Sequence, residues 1–115
     1  MDRDPSYLLD LDHAGALILE FTRGMDKASF LSDPKTQSAV MHQIIILGEV
    51  VKRLSAVFRE AHPRIPWAQI AGMRNRLIHE YDDVDPFLIW DVVRRDIPGF
   101  LTALQPLLPR PEDYS

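Results

Sequence analysis

The chain has no cysteine, which excludes disulfides, thiol catalysis and cysteine-held zinc. Long apolar runs are missing as well. None exceeds the four residues of Ile44–Leu47, whereas a membrane span needs about 20. Met1–Asp12 is acidic and lacks the basic segment and long apolar stretch of a secretory signal. These absences make a cytoplasmic protein the expectation, with no membrane contact. Glycine is sparse, at five residues, and none forms a phosphate-binding loop. No Ser-His-Asp order, zinc spacing, strand-period alternation or internal repeat is present. His13, His42 and His62 are scattered singly, and Asp82, Asp83 and Asp85 lack the glycine turn and closing Glu of a calcium loop. The expected metal and cofactor content is therefore none.

At 115 residues, with 46% apolar and 26% charged side chains, the chain has the size and composition of one soluble domain. The domain is expected over residues 1–105, followed by a proline-rich, frayed tail over 106–115. A formal net charge of −4 opposes indiscriminate nucleic-acid binding. The charge is unevenly placed, however. Glu49–His79 holds six Lys/Arg (Lys52, Arg53, Arg59, Arg64, Arg74, Arg76) against two acids, whereas Glu80–Asp96 holds six acids against Arg94 and Arg95.

Apolar periodicity predicts helices throughout. Tyr7, Leu11, Ala14, Ile18 and Phe21 form one stripe, so a helix is expected from about Pro5 to Arg23. Asp4 would cap it and Gly24 would end it. Met25–Leu31 reads as a short turn that brings Phe30 and Leu31 to the core. Asp33-Pro34 starts a second long helix, predicted to reach about Ala61, on the stripe Val40, Ile44, Leu47, Val51, Leu54, Phe58. Met41, Ile45, Ile46, Val50 and Val57 widen that stripe beyond one face, which predicts a second buried face against another subunit. His62–Pro66 is a stiff connector. Trp67 begins a short helix, Gly72 relaxes it, and Met73–Tyr81 is predicted to continue as helix or helical turn. Asp85-Pro86 caps a last helix with the stripe Trp90, Val93, Ile97, Phe100 or Leu101, Leu104, kinked by Pro98. The outcome is an all-α bundle of four to five helices.

Chemistry concentrates in Arg74–Tyr81. A fixed positive charge, the Asn75 amide and an imidazole within two helical turns suit phosphodiester cleavage without a metal. Histidine can take the proton of an RNA 2′-OH or protonate a leaving oxygen, and arginine can clamp the phosphate. On an ideal helix Arg74 and His79 would stand about 140° apart. They would converge through arginine's reach, a helix start at Gly72–Met73, or pairing across a two-fold axis. Residue chemistry alone fits other roles equally: Arg76 and Glu80 as a surface pair, and His79 as a structural hydrogen-bonder.

Arg74–Tyr81 matches the R-x4-H-x-Y signature of HepT-like toxins of the HEPN superfamily, and flanking blocks match as well. They include Tyr7–Asp10, Phe21–Asp26, Ile46–Glu49, Lys52–Leu54, Ile65–Trp67, Ile70–Met73, Val84-Asp85 and Ile89–Asp91, and the matching region spans most of the chain. The resemblance implies an antiparallel helical homodimer whose R-x4-H motifs share a cleft. It also implies a metal-independent RNA endonuclease that acts as the toxin of a toxin–antitoxin pair. The implied partner is an MntA-like nucleotidyltransferase, which silences the toxin by AMPylation of the motif tyrosine, and toxin and antitoxin would form a hetero-oligomer. Carried over by position, Arg74 and His79 are catalytic, Asn75 supports the site, and Tyr81 takes the AMP. Glu49 matches an acidic residue of the long helix that would orient Arg74. One departure is plain: relatives commonly carry Phe-Gly after the tyrosine, whereas this chain has Asp82-Asp83, whose carboxylates would repel an RNA phosphate. The alternative implied by that departure is a catalytically weak HEPN dimer that mainly binds a nucleotidyltransferase or a nucleotide.

Overall fold

The computed structural model of the chain describes residues 2–78 and 84–110, and every regular element among them is helical. Two long helices, α1 (Asp4–Phe21) and α3 (Pro34–Arg53), form the central pair. The short helix α2 (Lys27–Leu31) lies between them in the chain. Gln37 donates to the carbonyls of Phe30 and Leu31 at 2.8 and 3.1 Å, fixing the α2–α3 corner. The start of α1 is tied to the chain just beyond the end of α3, so the two run antiparallel. That tie is the Asp4 carboxylate, which accepts from the Ser55 backbone N–H at 2.9 Å and from its hydroxyl at 2.6 Å.

Asp4 therefore does not cap its own helix as the Asp-Pro pattern suggests; Arg3 takes the cap position without a side-chain bond. The same tie explains why the second long helix stops short of Ala61. Leu54 and Ser55 are extended (ψ 143° and 148°), and α4 (Ala56–Ala61) starts afresh with the Ser55 hydroxyl accepting from the Phe58 N–H at 3.1 Å. The apolar period runs unbroken across this corner, because Leu54 is buried and Phe58 still packs on the core.

Beyond α4, α5 (Trp67–Ala71) and α6 (Met73–Leu77) meet at Gly72 and lie against α3. α7 (Pro86–Asp91) is capped by Asp85, whose carboxylate accepts from Phe87 and Leu88 N–H groups. Its continuation carries a π-helical turn, Val92–Asp96, before α8 (Ile97–Leu104) packs on α1. The expected Pro98 kink takes this form. Proline lacks an N–H for the preceding turn, and the wider π register accommodates the change without ending the helix. Gly15 gives α8 room, since a Cβ there would lie 2.5 Å from Leu101. A 3-10 turn, Gln105–Leu107, follows, with Leu107 and Leu108 against the core and Gln105 bonded to Asp12 at 2.9 Å. Within the tail expected over 106–115, Pro111–Ser115 lies outside the described residues.

The core joins Leu11 and Ile18 of α1, Ile44 and Leu47 of α3, and Ile97 and Leu104 of α8, all fully buried. Phe30 and Trp90 stack beside it with ring centroids 5.2 Å apart. Much of the broad apolar face of α3 is covered within the chain. Met41 and Val50 are buried and Ile45 and Ile46 are partly buried, which leaves Val57 at 78% exposure.

Candidate active site

α6 is short, but its two apolar ends fix it. Met73 and Leu77, one turn apart, are fully buried, so Arg74, Asn75 and Arg76 between them project to solvent. The α5–α6 corner sits unusually close to α3, because Gly48 has no side chain; a Cβ there would lie 3.2 Å from the Ala71 carbonyl oxygen. Gly48 thus sets the height of Arg74 above the bundle. That close approach had no spacing signal in the sequence.

The helix expected over Met73–Tyr81 ends at Leu77. Ile78 is extended (φ −103°, ψ 123°) and forms an antiparallel bridge with Val84. The Asp85 N–H adds a bond to the Leu77 carbonyl at 3.2 Å. The stretches of chain entering and leaving segment 79–83 are therefore held side by side at the end of α6 by this bridge and this bond. His79, Glu80, Tyr81, Asp82 and Asp83 lie outside the described residues. The ideal-helix angle between Arg74 and His79 does not apply here. A β-branched Ile78 followed by an acidic run favours leaving the helix over prolonging it.

Among the described residues, the Arg74 and Glu49 side chains are both exposed and no hydrogen bond or ion pair joins them. Nothing among the described residues occupies the donors of the Arg74 guanidinium. Arg76 is engaged elsewhere, pairing at 3.0 Å with Asp96 of the π turn, which also accepts from Gln69 at 3.5 Å. The alternative Arg76–Glu80 pairing involves a residue outside the described set. A cavity of about 320 Å3 opens between α3 and α7, lined by Met41, His42, Ile45, Val84 and Ile89, beside the root of segment 79–83. Of the other histidines, His13 is exposed and His62 packs on Phe58 with ring centroids 4.5 Å apart. Among the described residues, no three His, Asp or Glu side chains gather as metal ligands and no helix is long and apolar enough to cross a membrane.

Comparison with known proteins points in one direction. A family model described as "Ribonuclease HepT-like" matches residues 11–107. A protein of Thermococcus cleftensis named "Probable ribonuclease HepT" is 46% identical over 93 residues, covering 81% of this chain and 84% of its own. A "Putative RNase" of Caldanaerobacter subterraneus is 37% identical over 91 residues, or 79% of this chain and 81% of its own. Another so named, from Methanocaldococcus jannaschii, is 33% identical over 103 residues, covering 90% and 85%. No solved structure matches.

Proposed function

The chain belongs to the ribonuclease HepT-like family, and from that premise we propose that it is a metal-independent RNA endonuclease, the toxin of a toxin–antitoxin pair. The observation that carries the reading is Arg74. It is an exposed guanidinium without a partner among the described residues, on a helix pinned to the core directly before the segment that carries His79. The names of the relatives support the same substrate class.

In this mechanism the RNA 2′-OH attacks the adjacent phosphorus, and the bond from phosphorus to the 5′ oxygen of the next nucleotide breaks. A His79 imidazole accepts the 2′-OH proton, and an imidazolium protonates the leaving 5′ oxygen, leaving a 2′,3′-cyclic phosphate and a 5′-OH. Arg74 neutralises the charge that builds on the phosphate oxygens, while Asn75 supports the site; Glu49 makes no bond to Arg74 here and is assigned no part in the step. A homodimer would set two such motifs across one cleft and supply both base and acid. Tyr81 is the regulatory switch: an AMP attached there by an MntA-like nucleotidyltransferase puts a phosphodiester charge where substrate phosphate binds. These events take place in the cytoplasm. A second reading, a weak enzyme that mainly binds its nucleotidyltransferase, is favoured by Asp82-Asp83 and the net charge of −4.

Inducing the chain alone in cells, beside His79→Ala, separates the two. Growth arrest with RNA fragmentation that the variant abolishes supports the nuclease, and equal growth with intact RNA supports the second reading. Tyr81→Phe keeps the ring and removes the acceptor oxygen, so it is expected to stay toxic and to resist the antitoxin. AMP transfer and silencing unchanged in that variant would reassign the switch.

A further inference from the structure

The basic segment 49–79 contains more cation than the cleavage chemistry uses, and one of its cations, Arg64, shares a groove with Arg95 of the following segment, apart from Arg74. A groove of about 250 Å3 runs between α5 and the π turn with α8. Arg64 borders it on the α5 side and Arg95 on the other, and both are exposed and unpaired among the described residues. The neighbouring Arg94 is not available in the same way, because its guanidinium lies 5.5 Å from the centre of the Trp90 ring.

The one carboxylate that lines the groove among the described residues, Asp96, is already neutralised by Arg76 at 3.0 Å. The groove therefore keeps the charge of both free arginines. Its floor is apolar, with Ile70 and Phe100 buried, while Gly99, where a Cβ would touch nothing within 4 Å, keeps the α8 wall low. An open trough with cations on both banks and a neutral floor suits a flexible polyanion that lies along it. Through the Arg76–Asp96 pair, the trough is also linked to α6, two residues from Arg74.

We infer that the groove between Arg64 and Arg95 holds the phosphate backbone of the RNA strand flanking the scissile bond, a binding track separate from the cleavage residues. The inference rests on the ribonuclease reading for the identity of the polyanion. It explains how a protein with a net charge of −4 would hold RNA: the cations are local, and Asp96, the acid that lines this groove, is spent on Arg76. Each arginine binds by charge and contributes no base preference.

The test measures binding of a 12-nucleotide 2′-O-methyl RNA, which offers phosphates but no 2′-OH to be cut, as salt is varied. The double variant Arg64→Ala/Arg95→Ala removes two phosphate contacts. The slope of log affinity against log salt is expected to become shallower by about 1.4, and affinity at 0.15 M salt to fall on the order of tenfold. Arg64→Lys/Arg95→Lys is expected to recover most of the slope, and Arg23→Ala, a distant exposed cation paired with Glu20, to leave it unchanged. A double variant with the parental slope and affinity overturns the track. Cleavage of unmodified RNA by the parent is scored separately. If the parent binds with a slope that depends on Arg64 and Arg95 yet cuts nothing, the track stands and the ribonuclease reading falls. A parent that binds no RNA overturns both.

Discussion

Single residues decide how this chain is held together, and not always those that look structural. Asp4 sits before a proline, a pattern that signals a helix cap, yet its carboxylate reaches Ser55 at 2.6 and 2.9 Å. A cap signal is local and has no term for a partner more than fifty positions away, so this role could not be read from the sequence. Two bonds to a carboxylate, one of them from a backbone N–H that would otherwise be stranded, are worth about 1.5–3 kcal/mol. Asp4→Ala should lose that much in urea unfolding. In a double-mutant cycle with Ser55→Ala, which keeps the backbone N–H, the share carried by the hydroxyl bond should appear as coupling, and strictly additive losses would contradict that bond. Arg74 shows the opposite case. Its spacing to His79 and Tyr81 was legible as a motif, and it sits exposed on α6 with no partner among the described residues. Arg74→Ala is therefore expected to change stability by no more than about 0.5 kcal/mol. A variant that unfolds would mean that the side chain is structural.

At the scale of the elements, the period-3.6 stripes identified nearly every helix but not where each one stops. The stripe Val40 to Phe58 continues through a corner at Leu54–Ser55, because both halves face the same core. Apolar spacing records which residues are buried, not the backbone torsions between them. The early end of α6 at Leu77 was hidden for a related reason: the residues after it carry the R-x4-H-x-Y signature in place of a core pattern. Gly48 is the contact through which α3 positions α5 and α6. Gly48→Val would push a branched side chain against the Ala71 carbonyl, with its Cβ at 3.2 Å. The expected cost is about 1–3 kcal/mol, and RNA cleavage should fall with it as Arg74 is displaced. Full stability and full activity together would show that the approach is unimportant.

The caps of α2 and α3 make a different prediction. Asp26 is held below the usual carboxylate range chiefly by the Ser29 backbone N–H, and Asp33 chiefly by the Thr36 hydroxyl. A lowered folded pKa means that the unfolded chain takes up protons first. The stability these caps add is whole above the unfolded pKa, about 3.9, and is lost as pH falls through the lower folded values. Asp26→Asn/Asp33→Asn should therefore flatten the fall of the melting temperature between about pH 5 and pH 2. Parallel profiles for parent and variant would count against the caps.

For the whole molecule, the all-helical class was legible, because each stripe needed an apolar neighbour and only other helices were on offer; the antiparallel arrangement came from the family resemblance alone. The need for a second subunit was less well founded than the stripe of α3 suggested, since Met41 and Val50 are buried within the chain. The dimer is now expected on the mechanism, which calls for an acid and a base at one phosphate. Sedimentation at micromolar concentration should give about twice the 13.2 kDa of one chain, and a single 13.2 kDa species would contradict it. The central claim is that this chain cuts RNA with Arg74 and His79 and needs no metal. The most direct measurement follows cleavage of a labelled RNA by the purified chain in excess EDTA, beside Arg74→Ala and His79→Ala, and analyses the ends of the fragments. The account predicts fragments ending in 2′,3′-cyclic phosphate from the parent and rates lower by orders of magnitude from both folded variants; cleavage that stops in EDTA and returns with Mg2+, or that survives both substitutions, would contradict it.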